Sequence, residues 1–457
     1  MRRRQWLELA TVVGTASLVP TMVLAGQESQ AVPSREYQAR RDRVTERLSD
    51  GILLVPSRFE LKSEDQHGFF QNPDFYYLSG LGNALRTVLV IDGPRHRSLL
   101  FVASLPGPLA RWAITPRSGR NDSLGLDGVV SWDSLPGYLG GRLRERPELP
   151  IYLTDTTRAE PPAGIPPTYD PIALWSAALR QRFPSLAIRS ARGVLDGLRG
   201  IKSPAEIAVL RRVGALSAEA LRTALRTVPL ARRQRAVEAA VVARCVQGGG
   251  EGPSFWPWTM TGPNAVLPGT FASFGDYHHL DRPLQAGELI RLDVGCDLLH
   301  YRGDVGRTAP VSGRFSAGQR EAWELLIAAY QAGLSRMGDG VTSADVIRAS
   351  LERVRGLRNG LKTPLGRNAA IALLAQGGTE SWQLHGVGLE SAESGARPDV
   401  LRTGMVLAFE PGLTVDGQAF YLEDMVLVRG DGSDILTPGL PYGADEIERA
   451  MKSQPPR

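Results

Sequence analysis

Five side chains with oxygen or imidazole donors stand at the ends of short apolar runs. They are Asp293 in Arg-Leu-Asp-Val-Gly, Asp304 in Arg-Gly-Asp-Val-Gly-Arg-Thr, His385, Glu410 in Phe-Glu-Pro-Gly and Glu423 in Leu-Glu-Asp. A carboxylate ending an apolar strand is costly to bury unless it is paired or holds a metal. One such acid means little. Four of them and a histidine, each flanked by apolar residues on one side and a glycine or turn on the other, describe a hard, oxygen-rich cage. Such a cage suits two divalent ions bridged by shared carboxylates, manganese first, with cobalt or zinc as alternatives. Paired ions of this kind activate water and polarise carbonyls, which is the chemistry of hydrolysis.

Other reactive patterns are weaker. Gly248-Gly249-Gly250 lacks the following Lys-Ser/Thr of a phosphate loop and reads as a turn before Glu251. Ser79 has no nucleophile-elbow context. Phe255-Trp256-Pro257-Trp258 reads as core packing, with a substrate wall as the alternative, and His67, His96 and His300 read as surface or internally satisfied residues.

The elements that must hold the five donors follow from the apolar periodicity. Leu289 to Val294, Val305 to Val311, Gly386 to Leu389, Met405 to Phe409 and Met425 to Val428 read as strands of one sheet, with helices at Ala317 to Arg336 and Ser343 to Val354. Ahead of them, Ser203-Pro204-Ala205-Glu206 places a cap, a first-turn proline and a capping-box acid at the start of a long helix. Earlier still, a charged helical pattern from Arg35 to about Leu48 precedes strand-like runs at Ile52 to Pro56, Thr87 to Ile91 and Ser98 to Val102. Prolines crowd Pro147 to Pro171, a stretch read as surface loops. The organisation is therefore α+β: an α/β domain over 35–197 followed by a domain over 198–457.

Composition agrees with a folded, two-domain chain. Its 457 residues are 42% hydrophobic and 22% charged, which excludes disordered and collagen-like classes. The net charge is only +5 and the arginines are scattered, so no nucleic-acid footprint is expected. Cys245 and Cys296 are the only cysteines; they read as two unpaired buried thiols, a single bridge between them being the alternative.

Residues 1–25 read as an export signal: Arg2 to Arg4 form a basic start, an apolar stretch runs from Leu9 to Leu24, and Val23-Leu24-Ala25 ends it with a small-residue cleavage pattern. Arg3-Arg4-Gln5-Trp6-Leu7 resembles the twin-arginine pattern, with an ordinary secretion signal or a retained anchor as alternatives. The expected location is periplasmic or extracellular. No later stretch is long and apolar enough to span a membrane.

The ordered donors resemble the pita-bread metallopeptidases, and within them the aminopeptidase P (Xaa-Pro aminopeptidase) branch. Asp293 and Asp304 stand eleven residues apart as in that family, and Gly303-Asp304-Val305-Gly306-Arg307-Thr308 is similar to its second-aspartate motif. His385-Gly386-Val387-Gly388-Leu389 is similar to its histidine motif, Gly404 to Gly412 to its first-glutamate motif, and Leu422-Glu423-Asp424 to its second. Leu198 to Ile207 resembles the hinge into the catalytic domain, and Gln71 to Gly80 the signature of the N-terminal domain. The resemblance implies a pita-bread catalytic domain in which Asp293 chelates one metal, His385 and Glu410 bind mainly the other, and Asp304 and Glu423 bridge both. It further implies a self-associating enzyme that releases the N-terminal residue of a peptide with proline in second place, with Glu410 and His385 at the reaction centre.

Departures from the family pattern fall among the auxiliary groups. Ser381, Ala392 and Asp276 stand where the family usually has histidine, and Tyr421 where arginine is common. His278 and His279, close to Asp276, are the candidates for replacing the lost proton-transfer groups, together with Asp276 itself. Two competing readings keep the same scaffold: a prolidase-like dipeptidase or other amide or ester hydrolase, and a metal-retaining binding module without turnover.

Overall fold

The computed structural model describes residues 32–58, 71–104, 114, 124–154, 171–266, 281–375, 382–393 and 397–452. Residues 1–25, read above as an export signal, and His67, Asp276, His278, His279 and Ser381 lie outside the described residues.

Continuous apolar runs build the centre of the N-terminal sheet. β1 (Ile52–Pro56), β2 (Thr87–Asp92), β3 (Arg97–Val102), β4 (Gly128–Ser131), β5 (Ile151–Leu153) and β6 (Ile188–Ser190) form six strands in the order β4-β3-β2-β1-β5-β6. Leu53 and Val55 point to a core shared with α1 (Ser34–Arg47) and α2 (Pro73–Ser79), whereas Ile52 and Leu54 point to α3 (Leu135–Glu145) and α4 (Pro171–Arg182). Both faces are covered, so β1 is buried at every residue and reads as a continuous apolar run rather than an alternation. The proline-crowded stretch is not all surface loop: Ile151–Leu153 is a buried strand pairing in parallel with β1.

The first core does not stop at the domain edge. It continues through Val209, Leu210 and Val213 into Val387, Leu389, Val406, Ala408, Met425 and Leu427 of the C-terminal half. Polar contacts pin the same junction. Asn72 caps α2 by accepting from the backbone N–H of Asp74 and Phe75, and Gly80 ends it at φ 71°, where a Cβ would lie 2.6 Å from the Tyr37 ring. α2 then offers Asp74 to Arg199 at 2.8 Å, and the Tyr77 hydroxyl donates to the Leu198 carbonyl at 3.0 Å. Arg199, on α5 (Arg192–Gly200), also holds Glu390 at 2.7 Å and Glu393 at 3.0 Å, and Lys202 holds Glu393 at 2.7 Å. Burial pushes the Glu393 carboxyl up, but the two cations overrule it and hold it at about 2.

α6 (Pro204–Thr227) opens with the complete capping box of Ser203 and Glu206 and packs on α7 (Gln234–Gln247). The strands that follow are β7 (Gly252–Pro253), β8 (Trp258–Thr261), β9 (Leu289–Val294), β10 (Cys296–Leu298), β11 (Tyr301–Arg302), β12 (Val305–Pro310), β13 (Trp382–Gly386), β14 (Val406–Val415), β15 (Gln418–Tyr421), β16 (Asp424–Arg429) and β17 (Gly432–Ile435). They do not form the one sheet expected. β12-β9-β8 and β13-β14-β16-β17 are separate ladders, joined by a bridge in which Gly306 and Glu423 exchange both backbone hydrogen bonds. α8 (Ala317–Leu334), α9 (Ser343–Leu357), α10 (Pro364–Ala375) and α11 (Ala444–Lys452) bury this half from outside, with Trp323 and Tyr330 of α8 fully enclosed.

Cys245 and Cys296 are bridged, contrary to the free-thiol reading. The end of α7 lies against β10, bringing the two Cα atoms to 5.3 Å, a separation that spacing along the chain does not reveal. The bond ties α7 to the hairpin that leads from Asp293 to Asp304. Closing a loop over a separation of 51 residues, it contributes about 4 kcal/mol in the chain-entropy account. The Cys245→Ala/Cys296→Ala double variant is therefore expected to unfold in urea with a stability lower by about 2–5 kcal/mol, and an unchanged midpoint would contradict this.

Candidate metal centre

The two ladders meet so that Asp304, His385 and Glu423 converge, with Glu410 beside His385 and Asp293 on the adjoining strand. Asp293 stands near the end of β9 opposite Gly306 of β12, and Asp304 immediately precedes β12. His385 on β13 pairs with Ala408 of β14, so Glu410, two residues along, is its diagonal neighbour on the same face. Glu423 sits between β15 and β16 at the bridge to Gly306. His385 thus belongs to a strand that ends at Gly386, not to a run beginning there: beyond it the chain bends, with the Gly388 N–H donating to the Glu390 carbonyl.

Donor atoms of Asp304, His385 and Glu423 lie within 4.8 Å of one another. His385 Nε2 is 3.0 Å from Glu410 Oε1 and 3.9 Å from Asp304 Oδ2. The Tyr421 hydroxyl is 2.5 Å from Glu410 Oε2 and 2.9 Å from Glu423 Oε2. Asp293 Oδ2 accepts from Arg291 Nη2 at 2.9 Å. Glu423 is fully buried, yet its Oε1 has no hydrogen-bond partner among the described residues. A buried carboxylate oxygen without a donor, beside imidazole and carboxylate ligand atoms, is a seat for a cation. The residues present therefore fit a divalent metal, and Asp304, His385 and Glu423 are the set that converges most closely.

Burial and crowding work against charge on Asp293, Asp304 and Glu423. Burial and neighbouring Asp304 push the Glu423 carboxyl well above its usual range, and burial with Asp293 does the same to Asp304. Burial lifts Asp293 to about 6, with Glu410 adding to it and Arg291 opposing. Burial works against a charged His385, but Glu410 and Asp304 outweigh it and raise the imidazole to about 9. Glu410 answers in kind: burial lifts it, and its contact with His385 holds it below the ordinary value.

Comparison with known proteins fits this architecture. The model described as metallopeptidase family M24 matches residues 208–430, and that described as the aminopeptidase P N-terminal domain matches 37–152. The chain belongs to metallopeptidase family M24, in its aminopeptidase P branch. It is similar to the Xaa-Pro aminopeptidase of Escherichia coli K12, at 25% identity over 92% of this chain and 98% of the relative. A putative aminopeptidase P from Bacillus anthracis superposes with a TM-score of 0.74 at 20% identity, covering 92% of this chain and 99% of that one. Zinc-substituted E. coli aminopeptidase P in complex with product superposes with a TM-score of 0.70 at 24% identity, covering 92% and 98%.

In this M24 chain a metal must displace protons from the groups that ligate it, because carboxylates and imidazole bind metals deprotonated. With His385 raised to about 9 and Asp304 and Glu423 well above their usual range, loading near neutral pH is expected to release more than one proton. Metal affinity should therefore climb as pH rises through neutrality toward about 9, where His385 gives up its proton. Calorimetry of manganese binding in buffers of differing ionisation enthalpy measures the proton count; zero protons released would contradict the assignment.

The M24 site also contains residues that sequence reasoning passed over. Arg291 interrupts an apolar run, and only the strand register shows its guanidinium in the site. Arg307 and Asp424, next to the motif residues, form a fully buried ion pair behind the donors. Trp258 pairs with Asp293 across β8 and β9, lies 5.0 Å from Arg291 and packs on the small core of Met260, Ala265 and Ala419, while Trp256 is 46% exposed, so the aromatic run is core only in part. Of the departures within the described residues, Ala392 offers a methyl group and Tyr421 reaches the donors directly. His96 is exposed, and His300 Nδ1 lies 3.0 Å from Glu251 Oε2.

Proposed function

We propose that this M24 metallopeptidase is an Xaa-Pro aminopeptidase holding two divalent ions, manganese first, on Asp293, Asp304, His385, Glu410 and Glu423. The observation that carries the reading is the orphaned Glu423 Oε1 beside Asp304 and His385, since a second cation-accepting oxygen on a bridging carboxylate is what a paired site requires. Asp293 serves one ion, His385 and Glu410 the other, and Asp304 and Glu423 both. When bound, such ions acidify water and polarise the scissile carbonyl. Glu410, hydrogen-bonded to His385 and Tyr421, is the carboxylate placed to handle the proton. Asp276, His278 and His279 are the candidates for assisting it in place of the missing histidines.

The limits 35–197 and 198–457 are kept for the two domains, with the first holding the second through the contact of Asp74 with Arg199 and mediating self-association. Export through residues 1–25 is supported by the Cys245–Cys296 bond, since such bonds persist in oxidising compartments. Among the described residues no helix is long and apolar enough to cross a membrane.

A panel of Xaa-Pro dipeptides against longer Xaa-Pro peptides tests the substrate. Release of the first residue from the longer peptides is the expected result. Cleavage of dipeptides alone would replace this reading by a prolidase-like one, which the methyl group at Ala392 in a usual histidine position favours. Tight peptide binding by metal-loaded protein without cleavage would replace both by a binding module.

A further inference from the structure

Tyr421 occupies the position, two before Glu423, where arginine is common among the chains this one resembles, and the structure shows a second cation entering from the neighbouring strand. Arg291 is 8% exposed, and its guanidinium carbon lies 3.9 Å from the centre of the Tyr421 ring and 5.0 Å from that of Trp258. Flanked by two rings, a guanidinium keeps one orientation and is strongly stabilised by their π faces. That orientation delivers Nη2 to Asp293 Oδ2 at 2.9 Å. The ring that flanks Arg291 carries the hydroxyl that reaches Glu410 and Glu423.

A third position makes room for this arrangement. A Cβ on Gly306 would stand 2.1 Å from Cε1 of the Tyr421 ring, so the ring occupies the space a side chain at 306 would need. The backbone of Tyr421 is fixed in turn by Thr308, whose Oγ1 accepts from the Tyr421 N–H at 2.7 Å. Arg291, Gly306 and Tyr421 thus come from β9, β12 and β15, three elements in mutual contact.

We propose that Arg291, Tyr421 and Gly306 form one interdependent unit of positioning residues that sets the carboxylates of the metal centre. Arg291 fixes Asp293, the Tyr421 hydroxyl fixes Glu410 and Glu423, the ring fixes Arg291, and Gly306 admits the ring. The inference rests on the metal-binding reading above and adds how this chain dispenses with an arginine at 421.

The test reads metal binding rather than turnover. Tyr421→Phe keeps the ring over Gly306 and under Arg291 and removes only the hydroxyl. It is expected to lower the unfolding temperature of the metal-free protein by a few degrees only, for the lost hydroxyl, while manganese affinity measured by calorimetry falls about 10-fold or more, as when a hydrogen-bond partner of a ligand is lost. The visible absorption of the cobalt(II) form is expected to shift in Tyr421→Phe and in Arg291→Leu. Combining Arg291→Leu with Tyr421→Arg returns a cation from the adjacent strand and is expected to bring the cobalt spectrum back toward wild type. Unchanged affinity and spectrum in Tyr421→Phe, or a double variant no nearer wild type than Arg291→Leu alone, would overturn the proposal. Metal-binding wild type with insensitive variants sinks this inference alone, whereas wild type that binds no metal sinks the underlying reading.

Discussion

Glu423→Gln is expected to reduce metal-dependent peptide hydrolysis by at least about 10³-fold, the equivalent of several kcal/mol of charge stabilisation, without weakening the metal-free fold. Glu423 is fully buried and its carboxyl is pushed well above the usual range by burial and by Asp304, so a negative charge there is disfavoured without metal. A neutral amide of the same shape can replace it there at small cost. Once metal enters, the neutral amide supplies no charge and only one ligating oxygen, and the orphaned Oε1 is the atom whose loss matters. The expected signature is an unchanged melting temperature without metal and a lost rise on adding manganese, a rise of about 4 kcal/mol for a ligand at a thousand times its Kd. A Glu423→Gln protein stabilised by manganese as strongly as wild type would contradict the assignment of Glu423 as a ligand.

The second large effect is on the support behind the donors. Arg307 is fully buried, spans Asp424 with Nη2 at 3.1 and 3.2 Å, and donates from Nη1 to the Gly306 and Glu423 carbonyls at 2.7 and 2.6 Å. Asp424 also accepts from the hydroxyls of Tyr330, Tyr442 and Thr437 at 2.8, 2.8 and 2.7 Å. Arg307→Met leaves a buried carboxylate with hydroxyl donors alone and is expected to cost about 3–5 kcal/mol, lowering the melting temperature by about 10 °C for a domain of this size. Arg307→Met/Asp424→Asn removes both charges and should recover a large part of that loss, because the penalty lies in the stranded charge. Urea unfolding of the metal-free proteins measures it; a double variant worse than either single one would show that the pair itself, not the stranded charge, supplies the stability.

What was legible in the sequence, and what was not, follows from how far each signal reaches along the chain. Local signals read well: the Ser203–Glu206 capping box, the apolar run of β1, and the strands that carry Asp293 and Glu410 need only their own neighbours. Signals set by distant partners did not. Ile151–Leu153 is three residues long amid prolines, and becomes a strand because Ile52 and its neighbours lie alongside. The Cys245–Cys296 bond depends on where α7 ends against β10. Gly386–Leu389 looks extended by composition, but the ladder with β14 covers Trp382–Gly386 instead. In the site, the donors stand out as acids in apolar surroundings, while Arg291 is visible only once the register of β8, β9 and β15 places it between two aromatic rings.

The most decisive measurement is mass spectrometry of a short Xaa-Pro-Xaa peptide incubated with the chain from Gly26 onward, reconstituted with manganese. The expected result is release of the first residue alone, abolished by a chelator and by Asp304→Ala, with bound metal falling in that variant. Cleavage that survives the chelator, or metal content untouched by Asp304→Ala, would contradict it.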